Sequence, residues 1–226
     1  MDRLLKRIVW LIILIPVVYL AIIWKKIPEQ VALHFDLSGK PDRFGNKSEL
    51  LTITAILTVM SAVIYLILTN IYRIDPKKYA AENKGRLHRL AFGIVVFMAA
   101  LLCLILYSSS QGNIRFNTNF ILAAVGLLFA FIGNYMHNIK PNYFAGFRLP
   151  WTLENEENWK RTHALAGKLW FAGGILLAVI CLFLPAKAGF IVFFSTMMVL
   201  TIIPVIFSFR FYQKNKRANK TTNSEM

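Results

Sequence analysis

Two polar stretches hold nearly all the residues able to do chemistry: Lys25–Glu49 and His137–Lys168. In the first, KKIPEQVALHFDLSGKPDRFGNKSE, His34, Asp36 and Asp42 are candidate metal ligands by residue type. Their spacing of i, i+2 and i+8 is no recognised ligand pattern, so hydrogen bonding is expected, with Lys47 or Arg43 pairing the carboxylates. In the second stretch His137 and His163 lack a third ligand. No nucleophile–base spacing, H-E-x-x-H or paired aspartates occur, and the apolar runs hold no carboxylate. Cys103 and Cys181 both lie in apolar runs, which offers neither a disulfide framework nor zinc spacing. The expectation is a non-enzymatic protein with no cofactor and no bound metal.

The second stretch, HNIKPNYFAGFRLPWTLENEENWKRTHALAGK, has its own grammar. Pro150 restricts Leu149 to extended backbone, and Thr152 then fits a helix N-cap. Glu154, Glu156 and Glu157 suit the first turns of the following helix, where the dipole favours anions. Glu156 with Lys160, and Glu157 with Arg161, have i,i+4 spacing. Trp159, His163, Ala166 and Trp170 form one stripe that leads into an apolar run. This is read as an amphipathic interfacial helix bending into a membrane, or as a recognition surface of Arg148, Trp151, Trp159 and His163. Arg148 stands in an apolar setting, Phe144 to Trp151, where a guanidinium reaches lipid phosphate, caps carbonyls or binds an acidic group, with Trp151 able to stack over it.

The elements that must position these stretches follow from composition. Of 226 residues, 57% are hydrophobic and 16% charged, and mean hydropathy is +0.53. Soluble domains hold about 25% charged residues. Six apolar runs approach the roughly 20 residues needed to cross a bilayer: Ile8–Trp24, Leu50–Tyr72, Leu90–Tyr107, Phe120–Tyr135, Leu169–Leu184 and Ala188–Phe209. The fourth and fifth are short and need residues from their flanks. Trp and Tyr recur at the ends, as an interfacial belt requires. The first run ends at Trp24-Lys25-Lys26 without a small-residue cleavage site, so it reads as a retained helix rather than a signal peptide.

Net charge is +15, from 26 Lys and Arg against 11 Asp and Glu. With the N-terminus in the cytoplasm, 19 of the 26 basic residues fall in cytoplasmic segments and 7 outside, as the positive-inside rule demands. Attraction to anionic headgroups accounts for that basicity, without direct nucleic acid binding. The fold class is therefore an all-α integral membrane protein of six helices with both termini cytoplasmic. Lys25–Glu49 forms an ordered extracytoplasmic cap and Val31–Phe35 a short extended segment within it. Ser108–Ser110 is read as part of an outer loop, and the basic tail from Lys214 as a stop-transfer anchor or a partner-binding tail.

Helix packing in lipid depends on small residues that permit close approach. Ala123, Gly126, Ala130 and Gly133 step along one face of the fourth run. Gly167, Gly174 and Ala178 do so in the fifth. An antiparallel hairpin of these two helices is expected. The chain divides into residues 1–72 with the cap at 25–49, 73–119 with a basic loop and third helix, 120–211 with the inner loop at 137–168, and a basic tail at 212–226.

Taken together, the two stretches resemble the SdpI family of bacterial immunity proteins. The inner match rests on Gly133-Asn134, Asn142, Gly146, Arg148, Pro150-Trp151-Thr152-Leu153 and Trp159. The outer one resembles a small N-terminal domain of unknown function common in such proteins, through Ile27-Pro28, His34-Phe35, Gly39, Asp42, Gly45 and Lys47. The resemblance implies a multi-pass protein of the bacterial plasma membrane that protects against a secreted peptide toxin. It further implies capture of a cytoplasmic autorepressor at the membrane. By sidedness, the toxin-facing residues are then Pro28, His34, Phe35, Asp36, Gly39, Asp42, Gly45 and Lys47. The signalling residues are Asn134, Asn142, Gly146, Arg148, Pro150, Trp151, Thr152, Trp159 and His163. A small-solute or ion transporter or channel is the alternative. Pro16 and Pro204 would kink the first and last runs, yet no midplane charge accompanies either.

Overall fold

The computed structural model describes residues 3–38, 40–77, 79–111 and 119–224. Six helices are long and apolar enough to cross a membrane. These are α1 (Arg3–Ile23), α2 (Ser48–Ile74), α3 (Ala80–Gln111), α4 (Asn119–Met136), α6 (Glu156–Phe183) and α7 (Ala186–Ser224). The short α5 (Pro150–Glu154) precedes α6.

Among the described residues, β-strand occurs at one place. Lys25–Glu49 folds as an antiparallel hairpin, β1 (Gln30–Phe35) with β2 (Pro41–Asn46), so the membrane protein carries a small β cap. The extended segment expected at Val31–Phe35 is the heart of β1. The cap is ordered because its inner face is apolar: Ile27 and Val31 are buried with Leu20 of α1, Leu50 of α2 and Leu102 and Leu106 of α3. Two register irregularities in β1, flanking His34, twist the hairpin over the helix ends.

Several helices outrun their apolar runs. Ser108–Ser110 belongs to the last turn of α3 rather than to a loop, with the Ser110 hydroxyl donating to the Tyr107 carbonyl at 2.7 Å. Most of the basic stretch 73–89 is the first turns of α3, and the tail continues α7 to Ser224. Charge does not stop a helix whose backbone bonds are all internal. Both outrun the roughly 20 residues a bilayer requires.

The small-residue hairpin forms as expected. Ala123, Gly126, Ala130 and Gly133 are all buried on α4 against Gly167, Gly174 and Ala178 of α6. A Cβ built on Gly126 would lie 2.8 Å from the Gly174 carbonyl oxygen, and one on Gly133 would lie 2.6 Å from the Phe171 nitrogen. The two backbones are in contact at both places. Leu177 and Cys181 of α6 then close against Phe193 and Met197 of α7. The other half packs through Val9, Ile13, Tyr65, Ala91 and Val95 of α1, α2 and α3.

Candidate functional site

The cap end is built around the hairpin. Its turn is held by Asp36, whose Oδ1 accepts from the Ser38 amide at 2.8 Å, the Ser38 hydroxyl at 2.7 Å and the Lys40 amide at 2.9 Å. Those donors, the Ser38 hydroxyl first, hold the Asp36 carboxyl below the usual carboxylate range. His34 Nδ1 lies 2.6 Å from Asp42 Oδ1 across the hairpin.

The expected pairing of these aspartates with Arg43 or Lys47 does not occur. Arg43 reaches Glu49 at 3.3 Å, and Lys47 reaches Glu29 at 2.6 Å while lying over the Trp24 ring. Each charge takes another partner instead: Asp42 is occupied by His34, and the two cations by the glutamates that flank the hairpin. Asp36 is likewise committed to its own turn, apart from the His34–Asp42 pair. Among the described residues no His, Cys, Asp and Glu cluster could hold a metal.

Beneath the hairpin is a cavity of 350 Å³. Leu33, Phe35 and Leu37 roof it, and Leu104 and Ile105 of α3 and Phe190 of α7 wall it. His34 and Asp36 stand at its edge. Of the cap residues singled out from sequence, His34, Phe35 and Asp36 therefore meet at one place. Pro28 is exposed ahead of β1. A side chain at Gly45 would displace the ends of the Leu33 and Glu49 side chains. Asp42 is taken up by His34 and Lys47 by Glu29 within the cap, and Gly39 lies outside the described residues.

The opposite end is a polar knot. Leu149 is extended, as Pro150 requires, and is itself the cap of α5. Thr152 is not the helix N-cap: Pro150 starts the helix earlier because its fixed φ and missing N–H suit the first position. Instead the Thr152 hydroxyl accepts from the Leu149 amide at 3.0 Å and donates to the Phe147 carbonyl at 2.7 Å. Asn155 caps α6, its side chain accepting from the Asn158 amide at 2.8 Å. Arg161 pairs with Glu157 at 2.6 Å as its spacing predicts, whereas Glu156 accepts from the Tyr79 hydroxyl at 2.9 Å.

Asn142 is fully buried and organises the loop, accepting from the Phe144 and Ala145 amides at 2.9 and 2.7 Å and donating to Lys140 and Ala145 carbonyls. Trp159 donates through its indole to the Ile139 carbonyl at 2.8 Å and stacks on His163, ring centroids 3.9 Å apart. His163 Nδ1 lies 2.8 Å from the Trp159 carbonyl, and its Nε2 accepts from the Phe147 amide at 2.9 Å. One ring nitrogen thus donates and the other accepts, which assigns a neutral imidazole. Gly146 has φ +103°, and a Cβ there would collide with His163 Nε2.

Trp159 and His163 therefore form no recognition surface. Both are under 2% exposed because the loop folds back over the first turns of α6. Nor does Trp151 stack over Arg148: its indole donates to the Ser208 hydroxyl at 2.9 Å and its ring packs on Phe209 and Tyr212 of α7. Asn134, Gly146, Arg148 and Pro150 are exposed, with the Arg148 guanidinium 3.1 Å from the Tyr143 carbonyl.

The partners of this knot in the first half were not singled out from sequence. Asn83 of α3 exchanges hydrogen bonds with the Lys140 backbone at 3.0 and 2.9 Å. Asp75 accepts from the Tyr143 amide at 3.3 Å, and Lys77 donates to the Leu153 carbonyl at 2.9 Å. Asn158 likewise donates to the Ser208 carbonyl at 3.0 Å. The Asp75-Pro76 turn signal was available; which carbonyls it would meet was not. Beside the knot lies a mixed-charge cleft of 510 Å³, edged by Arg86, Lys140, Glu157 and Lys160.

Comparison with known proteins bears out the resemblance. Residues 138–208 match the SdpI/YfhL protein family, and residues 11–59 match a domain of unknown function, DUF1648. The immunity protein SdpI of Bacillus subtilis is 26% identical over 196 residues, covering 85% of this chain and 88% of the relative. An uncharacterized protein of Archaeoglobus fulgidus is 39% identical over 49 residues, 22% of this chain and 27% of that protein. No solved structure matches the chain. With six helices long and apolar enough to cross a membrane and this similarity to an immunity protein, the chain is a multi-pass protein of the bacterial plasma membrane.

Proposed function

We propose that this protein confers immunity, protecting a bacterium against a secreted, membrane-active peptide toxin that it receives at the cap. The observation that carries this reading is the match to SdpI of Bacillus subtilis, which runs through both the cap half and the loop half. In this reading the cap end faces outward and the basic end faces the cytoplasm. An apolar segment of the toxin enters the 350 Å³ cavity between the hairpin and the ends of α3 and α7. The exposed rim of the opposite end, with Arg148, receives an acidic surface of a cytoplasmic repressor. The protein acts by binding and does no chemistry on its partners.

The test is protection of membrane potential in a toxin-sensitive strain that lacks its own immunity gene. Cells making the native chain keep their potential when the sporulation-delaying peptide, the toxin that the resemblance to the SdpI family implies, is added. Ile105→Trp, which fills the cavity while leaving the polar knot untouched, lowers the tolerated toxin concentration about ten-fold, the equivalent of roughly 1.4 kcal/mol of binding. Equal protection by the variant would remove the cavity from the site, and collapse with the native chain in the membrane would remove this toxin as the partner. Arg148→Glu is expected to leave protection intact and to abolish membrane recruitment of the repressor, scored by its fluorescence at the cell periphery. Unchanged recruitment would take Arg148 out of that role.

A further inference from the structure

We propose that the lateral groove between α3 and α4 binds one anionic phospholipid, its phosphate on Arg89 and an acyl chain along the groove. The small-residue face of α4 is turned to α6, so α4 meets α3 only sparsely. Between them runs a groove of 730 Å³, walled by Phe92, Val96 and Phe97 of α3 and Ala124, Leu127 and Leu128 of α4. Its lining is apolar except at one end, where Arg89 and Tyr135 stand. Among the described residues, no carboxylate or carbonyl pairs with Arg89. Gly85, one turn before it, leaves space beside the guanidinium: a Cβ there would have only Arg89 Nη2 nearby, at 3.9 Å.

The groove has the length of one leaflet. From Gly85 to Phe97, α3 rises about 18 Å, and from Ala124 to Tyr135, α4 rises about 17 Å. Half of a bilayer's hydrocarbon core is about 15 Å. A groove that runs from the interface to the midplane and carries a cation at the interface matches a lipid, polar at one end and apolar along the rest. A helix of a second copy would require a seam through both leaflets. The sign of the headgroup follows from the stretch that ends at Arg89, in which Arg73, Lys77, Lys78, Lys84, Arg86 and Arg89 outweigh Asp75 and Glu82.

Native mass spectrometry of the full chain, purified in mild detergent, tests this with phosphatidylglycerol and phosphatidylcholine of identical acyl chains. One phosphatidylglycerol is expected to be retained, in roughly five-fold preference over phosphatidylcholine, as one cation on one anionic headgroup implies. Arg89→Gln removes the preference. Ala124→Trp, at an exposed position away from α6, fills the groove and lowers retention of both lipids. Helicity of each variant is compared with the native chain, and if Arg89→Gln does not fold, loss of phosphatidylglycerol from Ala124→Trp decides the matter. Equal retention of the two lipids, retention unaffected by Ala124→Trp, adducts of inorganic phosphate alone, or a lipid-free pair of chains would each overturn the proposal.

Discussion

Gly174→Leu is expected to leave no stable α4–α6 pair, and Gly174→Ala to cost about 1–3 kcal/mol, the range for overpacking a close-fitted interface. The cause is backbone against backbone. A Cβ at Gly174 would stand 2.5 Å from the Gly126 carbonyl oxygen and 2.6 Å from the Ala130 nitrogen, neither of which is the movable end of a side chain. Seven residues away the same thing recurs: a Cβ at Gly167 would stand 2.8 Å from the Gly133 carbonyl oxygen and 2.8 Å from the His137 nitrogen. Relief at either point requires the two helices to separate along their length, which forfeits the van der Waals contact that holds them together in lipid. Gly85→Ala is the control. It meets nothing closer than Arg89 Nη2 and gains helix propensity, so it is expected to be neutral or stabilising by up to about 1 kcal/mol. Thermal loss of helicity in detergent distinguishes the two. A Gly174→Ala protein that melts with the native one would mean that the hairpin does not depend on this contact.

Opening of the inner loop is the second large effect. His163→Ala removes the acceptor of the Phe147 amide, the donor to the Trp159 carbonyl and the stacking partner of Trp159 in one step. An unpaired buried amide costs about 1–3 kcal/mol, and the cavity left behind adds to it. A local loss of about 2 kcal/mol raises the open population of the loop roughly thirty-fold. Hydrogen exchange over residues 142–153 should register that increase while α1 and α2 stay protected. Gly146→Ala should phenocopy it from the other side of the same contact, because its φ of +103° disfavours any side chain and a Cβ there collides with the His163 ring. If exchange in the loop matched the native protein in both variants, the imidazole would not be what closes it.

These two contacts also mark how far the sequence could be read. The steps of three and four through Ala123, Gly126, Ala130 and Gly133 announced a face that permits close approach, and α6 is what lies on it. Pro150 announced an extended Leu149, and the observed ψ of 147° obeys it. His163 and Trp159 were legible only as a stripe. A stripe of aromatic and imidazole rings at helical spacing suits a docking face as well as a buried seam, and only the loop folded over it makes the choice. Asp36, Asp42, Arg43 and Lys47 were legible as a set of opposite charges in one loop. Their pairing depends on which face of a two-stranded ladder each occupies, and the irregular register around His34 is not written in residue types.

The sequence by itself determined the membrane class, the six spans, the ordered cap and the helix pair that packs through glycine. Each of these depends on a one-dimensional quantity: the length of an apolar run against bilayer thickness, or the period of small residues against the helical repeat. Only the tertiary structure decided the cavity beneath the hairpin, the burial of Trp159 and His163, and the joining of Asn83 and Asp75 to a loop more than fifty residues away. Those contacts are made to backbone amides and carbonyls, which every residue carries alike. No side-chain pattern identifies in advance which of them a buried Asn or Asp will find.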